Sequence, residues 1–206
     1  MVKYRIAFHV RLSTVKNSLI SYLFRHFLLA YHFFLRSFVK RKIIVEFEII
    51  KIKQLSGKKA QIYSVILGQE DQSVFEQFLQ NNYSEYPTEI EDIVSKLKIM
   101  ATKTGAAEHF FKLNEGKPGD GVCALFDSPD KKLRIYCIRF ANVAIVVGGG
   151  GYKPKNIRAY QESSSLKKEA ETVVRISRII SEAIKNKDIH LDDNGFFLGN
   201  LKLKEE

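Results

Sequence analysis

Apolar and polar residues alternate from Val45 onward. Phe47 and Ile49 are separated from their apolar neighbours by glutamates, and this two-residue period is typical of a half-buried strand. The sequence 55–59 has the composition of a turn, and 60–67 has that of a second strand. The pattern therefore predicts two strands joined by a short turn.

The apolar period changes to that of a helix farther along the chain. Apolar residues recur at helical spacing in 71–82, and a second apolar stripe runs from Pro87 to Ala101. Thr88 and Glu91 have the spacing of a capping box, in which each side chain binds a backbone N–H of the first turn. Two consecutive helices are predicted.

Strand-like patterns return after these helices. The apolar runs lie at 109–113, 121–127, 132–140 and 143–147. The connections between them are too short for parallel crossovers, so they predict an antiparallel meander. The glycine run 148–151 is expected to break the last strand, because glycine weakens a strand interior.

An apolar stripe at helical spacing predicts a long helix over 166–187, and the tail from Asp188 is expected to fold back as a short strand or docked segment. The fold class of 43–206 is therefore α+β, with N-terminal strands, two helices, an antiparallel meander and a long C-terminal helix. We expect the helices to pack on one face of the sheet. The residues expected to be buried together are Ile93, Leu97, Ile135, Ile145, Val173 and Ile180.

Charge separates the first 42 residues from the rest. They contain nine Lys and Arg residues and no Asp or Glu. Residues 43–206 contain the remaining 24 bases and all 23 acids, so they carry a net charge of only +1, although the whole chain carries +10. We therefore predict that the domain spans 43–206, and that 1–42 is a basic apolar segment outside it.

Three interpretations of that segment remain open. The apolar and aromatic run 19–35 is at the lower limit of length for a membrane span, and Arg25 interrupts it, which argues against a span. It can be a weak membrane anchor, an extra helix packed on the domain, or translated upstream sequence from an over-extended start. A secretory signal is not indicated, because no small-residue cleavage site follows.

Chemistry that relies on metals or paired carboxylates is not indicated. Cys123 and Cys137 lack the spacing of a zinc site and lie in apolar runs, so we expect buried thiols in a reducing, cytoplasmic compartment. The run 148–151 lacks the helix that follows a dinucleotide fingerprint, and His109 has no nucleophile pattern beside it. No metal site and no cofactor are predicted.

The most unusual stretch is 131–161, which contains seven bases and no acid. Tyrosines lie between the bases, and this mixture can follow a phosphate backbone while bases stack on the rings. The alternative is a solvated edge of the sheet. Acids concentrate instead in 70–92, so a polar distribution of charge is expected.

Alternation along 132–140 predicts that Arg134 and Tyr136 share one face of their strand. This pair is the leading candidate for a site. A structural arginine, held by hydrogen bonds, is the alternative.

The order of these patterns resembles the RelE/HigB/ParE superfamily of toxins from bacterial toxin–antitoxin pairs, in particular its HigB-like, phage-derived members. The similarity lies in Lys112-Leu113, Arg134-Ile135-Tyr136, the apolar strand 143–147, and the sequence Tyr152-Lys153-Pro154-Lys155 before the last helix. It covers roughly residues 43 to 185 and implies a RelE-like fold with an additional N-terminal segment.

The resemblance implies a metal-independent endoribonuclease that cuts messenger RNA, often on the ribosome, and that pairs with a helix-turn-helix antitoxin protein. It implies that Arg134 stabilises the phosphorane and that Tyr136 stacks or transfers a proton. The residues expected to bind RNA are Lys112, Arg139, Tyr152, Lys153, Lys155 and Arg158. The alternatives are a toxin of the same fold that binds a protein target such as DNA gyrase, and an inactive binding protein.

Overall fold

The computed structural model describes residues 45–113, 115–116, 119–125, 131–154 and 163–205. The predicted role of 1–42 as a segment outside the domain falls on residues outside these ranges. The same is true of Lys155 and Arg158.

The described residues form an α+β structure, as the sequence predicted. The strands are β1 (Glu46–Lys51), β2 (Gln61–Leu67), β3 (Phe111–Lys112), β4 (Val122–Leu125), β5 (Leu133–Phe140), β6 (Ala144–Tyr152), β7 (Ile189–Leu191), β8 (Phe197–Gly199) and β9 (Lys202–Lys204). The α-helices are α1 (Val74–Tyr83), α2 (Pro87–Ile99) and α3 (Ser164–Asn186), and shorter helical turns cover Met100–Thr104 and Glu108–Phe110.

Seven of the described strands form one sheet in the order β3-β4-β5-β6-β2-β1-β9. The strands β3 to β6 form the predicted antiparallel meander. The pattern did not predict that β2 pairs in parallel with β6, with Ile62 opposite Ile145. This parallel pair joins the N-terminal hairpin to the meander and makes the sheet continuous.

Helices cover both faces of the sheet, so the expectation that they pack on one face was wrong. Ile93 and Leu97 of α2 pack with Ile135 on one face. Val173 and Ile180 of α3 belong to a separate core on the other face. The reason lies in β5, whose six residues from Leu133 to Ile138 are all buried, so that both faces of this strand need apolar cover.

The predicted capping box was misplaced by one helix. In α1, Ser73 Oγ accepts from the backbone N–H of Glu76, and the Glu76 carboxylate accepts from the Ser73 N–H. In α2, the N-cap is Tyr86 without a side-chain cap, and Pro87 occupies the first turn. Proline fits that position because its missing N–H would have no partner inside the helix.

The glycine run does not end β6, contrary to the sequence-based expectation. The strand continues through Gly148–Gly151 to Tyr152. A Cβ added to Gly148 would lie 2.3 Å from Val173 Cγ2, and one added to Gly150 would lie 2.1 Å from the Arg134 carbonyl oxygen. Glycine is therefore needed there so that α3 and β5 can approach the backbone closely.

The C-terminal residues complete the sheet. β9 pairs with β1, and the backbone N–H of Glu205 donates to the Val45 carbonyl at 2.8 Å. The Glu205 carboxylate binds the guanidinium groups of Arg175 and Arg178 on α3. None of the helices in the described ranges combines the length and the hydrophobicity that a bilayer crossing requires.

Candidate functional site

Arg134 and Tyr136 lie on the same face of β5, as alternation predicted, and that face is the one beneath α3. Tyr136 belongs to the core that contains Leu166 and Val173 of α3. The exposed fraction is 3% for Arg134 and 0% for Tyr136. Neither side chain therefore reaches solvent in this arrangement.

A buried acid accompanies Arg134. Glu115, which is 5% exposed, lies in the connection between β3 and β4. Its Oε1 is 3.9 Å from Arg134 Nη1 and 2.9 Å from Lys112 Nζ. Two of the predicted site residues, Lys112 and Arg134, therefore converge on one carboxylate that the sequence analysis did not single out.

The N-terminal half of α3 packs on the same face of the sheet as Tyr136. Ser163 caps the helix by accepting from the Leu166 N–H, and Leu166 is fully buried. Glu169 lies against β6, since a Cβ on Gly149 would meet its Oε2 at 2.0 Å. Burial raises the pKa of Glu169, and the neighbouring Lys168 partly opposes this shift. A catalytic role for Arg134 therefore requires that its buried guanidinium become accessible.

The acid-free stretch 131–161 is not a free positive surface where the structure describes it. Asp92 of α2 lies 3.8 Å from Lys131 Nζ. Glu89 Oε2 accepts from the backbone N–H groups of Lys132 and Leu133, both at 2.9 Å. The predicted polar distribution of charge is therefore incorrect at this point, because the acidic helix packs directly on the start of the basic strand.

Arg139 has a structural environment at the far end of β5. Its Nε donates to the Ala106 carbonyl at 2.6 Å, and its Nη2 donates to Asn142 Oδ1 at 2.9 Å. Its Nη1 also lies 3.2 Å from Glu108 Oε1. The structure does not bring Arg139 together with Arg134, because alternation places the two on opposite faces of the strand.

Tyr152 and Lys153 lie near the start of β5. Tyr152 pairs with Leu133 in the sheet, is 46% exposed, and stacks on Tyr86 with 6.1 Å between ring centroids. The Lys153 N–H donates to the Lys132 carbonyl, and its side chain is mostly buried. Of the two residues, Tyr152 presents the larger accessible surface.

A lysine-rich cleft lies at the other end of the sheet and was missed in the sequence. It has a volume of about 460 Å³, and its lining residues are Lys51, Lys53, Ser56, Gly57, Lys58, Gln61, Asn194 and Phe196. We call it the lysine cleft. One feature of the sequence indicates its position, because 49–69 has four lysines and no acid. Only the fold adds Asn194 and Phe196 from the C-terminal hairpin.

A second concave surface, the α1–α2 groove, has a volume of about 770 Å³. Leu79, Tyr83 and Val94 are among the residues that line it, and Tyr83 is 53% exposed. The sequence 70–95, which forms α1 and most of α2, contains seven acids and no Lys, Arg or His. The charged residues that line the groove are one acid and one base, Glu91 and Lys98.

Comparison of the chain with protein-family models, with curated proteins and with solved structures finds no match.

Proposed function

We propose that the described domain is a RelE-like toxin module that acts on RNA as a metal-independent endoribonuclease. The observation that carries this proposal is the order of its elements. A strand (β2), two helices (α1 and α2), an antiparallel set of strands (β3–β6) and a long helix (α3) follow one another as the resemblance implies. Arg134 and Tyr136 lie two residues apart on the central strand of that meander.

The reaction requires no cofactor. A base removes the proton from a ribose 2′-OH, the 2′-oxygen bonds to the adjacent phosphorus, and the bond from phosphorus to the 5′-oxygen breaks as that oxygen takes up a proton. Arg134 would stabilise the charge that accumulates on the phosphorane oxygens. Lys112, on the same side of the cluster, would neutralise Glu115 while Arg134 turns to the phosphate.

Access is the condition that the geometry sets. Arg134 and Tyr136 are both buried, and Tyr136 packs against the N-terminal half of α3, so we propose that this half of the helix is displaced before RNA reaches them. We propose that binding of messenger RNA, alone or on the ribosome, selects this open state. A helix-turn-helix antitoxin protein would inhibit the toxin in the same cell.

The test is expression in bacteria with mapping of new RNA 5′ ends. The wild type should arrest growth and produce new ends, and Arg134→Met should do neither, since loss of one such contact costs about 10²–10³ in rate. The double variant Glu115→Gln/Arg134→Met also removes the negative charge beside Arg134 and serves as the folded, inactive form. Lys103→Met is the control, because it removes an exposed base from the helical turn Met100–Thr104, outside β5.

A second candidate function is a module of the same fold that binds a protein and cuts nothing. Two observations favour it: the burial of Arg134 and Tyr136, and the open α1–α2 groove with Leu79, Tyr83 and Val94 in its lining. Such a groove suits the apolar face of an amphipathic helix. Growth arrest without new RNA ends would support this candidate and contradict the nuclease. No arrest and no cleavage would contradict any toxin function.

A further inference from the structure

The lysine cleft is built from two parts of the chain that one side chain holds together. Gln61, at the start of β2, donates through Nε2 to the Gly57 carbonyl at 2.8 Å and to the Asn194 carbonyl at 3.4 Å. Gly57 belongs to the turn between β1 and β2, and Asn194 belongs to the turn between β7 and β8. The two walls of the cleft are thus fixed relative to each other.

The hairpin of β7 and β8, which forms one wall of the cleft, is also hydrogen-bonded to the sheet. Tyr63 Oη donates to the Gly195 carbonyl at 3.0 Å and accepts from the Phe197 N–H at 3.2 Å. Gly195 has a φ of +83°, and a Cβ there would meet the Val143 carbonyl oxygen at 2.1 Å. Only glycine allows this turn to lie so close to the sheet, so the cleft is formed before any ligand binds.

The lining of the cleft contains three lysines and no Asp or Glu, and the acids Asp192 and Asp193 directly precede the lining residue Asn194. In the described part of the chain, none of the ammonium groups of Lys51, Lys53 and Lys58 forms an ion pair with a carboxylate. The nearby Asp192 turns its Oδ1 toward the backbone N–H groups of Asn194 and Phe196, at 3.0 and 2.7 Å. Lys131, just before β5, differs, because Asp92 of α2 lies 3.8 Å from its Nζ.

An aromatic ring completes the cleft. Phe196 is 38% exposed, and Lys51 Nζ lies 4.2 Å from its ring centroid. The next residue in the chain, Phe197, points in the opposite direction, into the core, where its ring contacts Tyr63 with 5.0 Å between centroids. Phe196 has no such contact in the core, so the part of its exposed ring that Lys51 does not cover is available for a ligand.

We propose that the lysine cleft binds the phosphodiester backbone of single-stranded RNA, with Lys51, Lys53 and Lys58 on the phosphates and one base on the Phe196 ring. A positively charged groove with an exposed aromatic is the usual arrangement for single strands, whose bases are free to stack. This inference rests on the proposed action on RNA. It adds a binding site at the end of the sheet away from Tyr152 and Lys153.

The test measures binding of the full chain to a fluorescent 2′-O-methyl RNA oligonucleotide at several salt concentrations. This oligonucleotide has no 2′-OH and is not cut, so binding is measured independently of cleavage. In the triple variant Lys51→Gln/Lys53→Gln/Lys58→Gln, the slope of log affinity against log salt should become shallower by about 2, since each phosphate contact on a single strand contributes about 0.7. Phe196→Leu should weaken binding by about 5- to 100-fold.

The matched control is Lys98→Gln/Lys185→Gln/Lys204→Gln. It removes the same charge from three exposed lysines outside the cleft, and it retains the bases of 1–42. The control should keep the wild-type slope. If both triple variants lose affinity equally, net charge alone explains binding and the cleft proposal is wrong.

The remaining outcomes separate this proposal from the proposed nuclease. Binding that depends on the cleft without any cleavage in cells would overturn the nuclease and support the cleft. Cleavage in cells that is unchanged by the Lys51/Lys53/Lys58 variant, together with unchanged oligonucleotide binding, would overturn the cleft alone. Binding of an acidic peptide in place of the oligonucleotide would also overturn it, because the ligand would then be a protein.

Discussion

Nη1 of Arg134 lies 3.9 Å from Oε1 of Glu115, and the two side chains are 3% and 5% exposed. Arg134, which the alternation pattern indicated as a functional candidate, therefore lies beside Glu115, an acid from a loop 19 positions earlier in the chain. The pair costs desolvation on both sides, and its attraction offsets this cost only while both charges are present.

We expect Glu115→Ala to lower the free energy of unfolding by about 3–5 kcal/mol, because it removes the buried carboxylate that lies beside both Lys112 and Arg134. Glu182→Ala removes an exposed glutamate from α3 and should change stability by less than about 0.5 kcal/mol. Urea denaturation followed by circular dichroism measures both. Equal effects would mean that the Arg134–Glu115 pair contributes little.

Leu97 on α2 tests the core between the helices α1 and α2 and the sheet. It is 0% exposed and packs in the same cluster as Ile135 and Ile145. Leu97→Ala should cost about 2–5 kcal/mol. Leu198 is 52% exposed, so Leu198→Ala should stay within about 0.5 kcal/mol. A small effect of Leu97→Ala in the same denaturation experiment would show that this face is not packed as described.

The neighbouring glycines of β6 form a matched pair. A Cβ on Gly150 would lie 2.1 Å from the Arg134 carbonyl oxygen, whereas one on Gly151 would find its nearest atom, Leu166 Cδ2, at 4.0 Å. Gly150→Ala should destabilise by about 1–3 kcal/mol through overpacking. Gly151→Ala should change stability by less than about 1 kcal/mol, because alanine restricts the unfolded chain without a clash. Comparable thermal midpoints would contradict the close contact between β5 and β6.

Glu169 predicts a dependence of stability on pH. Burial raises its folded pKa, so the folded state favours the protonated carboxyl. The contribution of this group to stability is complete below its unfolded pKa, and it is lost as the pH rises through the folded pKa. Glu169→Gln, which is always neutral, should therefore be more stable than the wild type at neutral pH.

The difference between Glu169→Gln and the wild type should disappear below about pH 4, where an unperturbed glutamate also becomes protonated. Thermal denaturation across this pH range measures it. Glu171→Gln is the control, because that carboxylate is exposed on the same helix. A difference that is constant with pH would show that burial of the Glu169 charge is not the cause.

The local pattern of the sequence determined the kind and order of the elements. The two-residue period of β1 and β5 and the helical stripe of α3 depend only on which residues face the core. Each of these patterns can be read from a short stretch of the sequence. The shared face of Arg134 and Tyr136 followed from the same alternation, as did the burial of the two cysteines.

The tertiary structure decided what those faces meet. The parallel pairing of β2 with β6, the cover of Tyr136 by α3 and the contact of Glu89 with the Lys132 backbone join residues that are far apart in the chain. The lysine cleft likewise needs Asn194 and Phe196 beside Lys51. The sequence pattern shows which residues are buried, but it does not show which other residues cover them. Whether a charged side chain has a partner of opposite charge also depends on packing between segments that are distant in the chain.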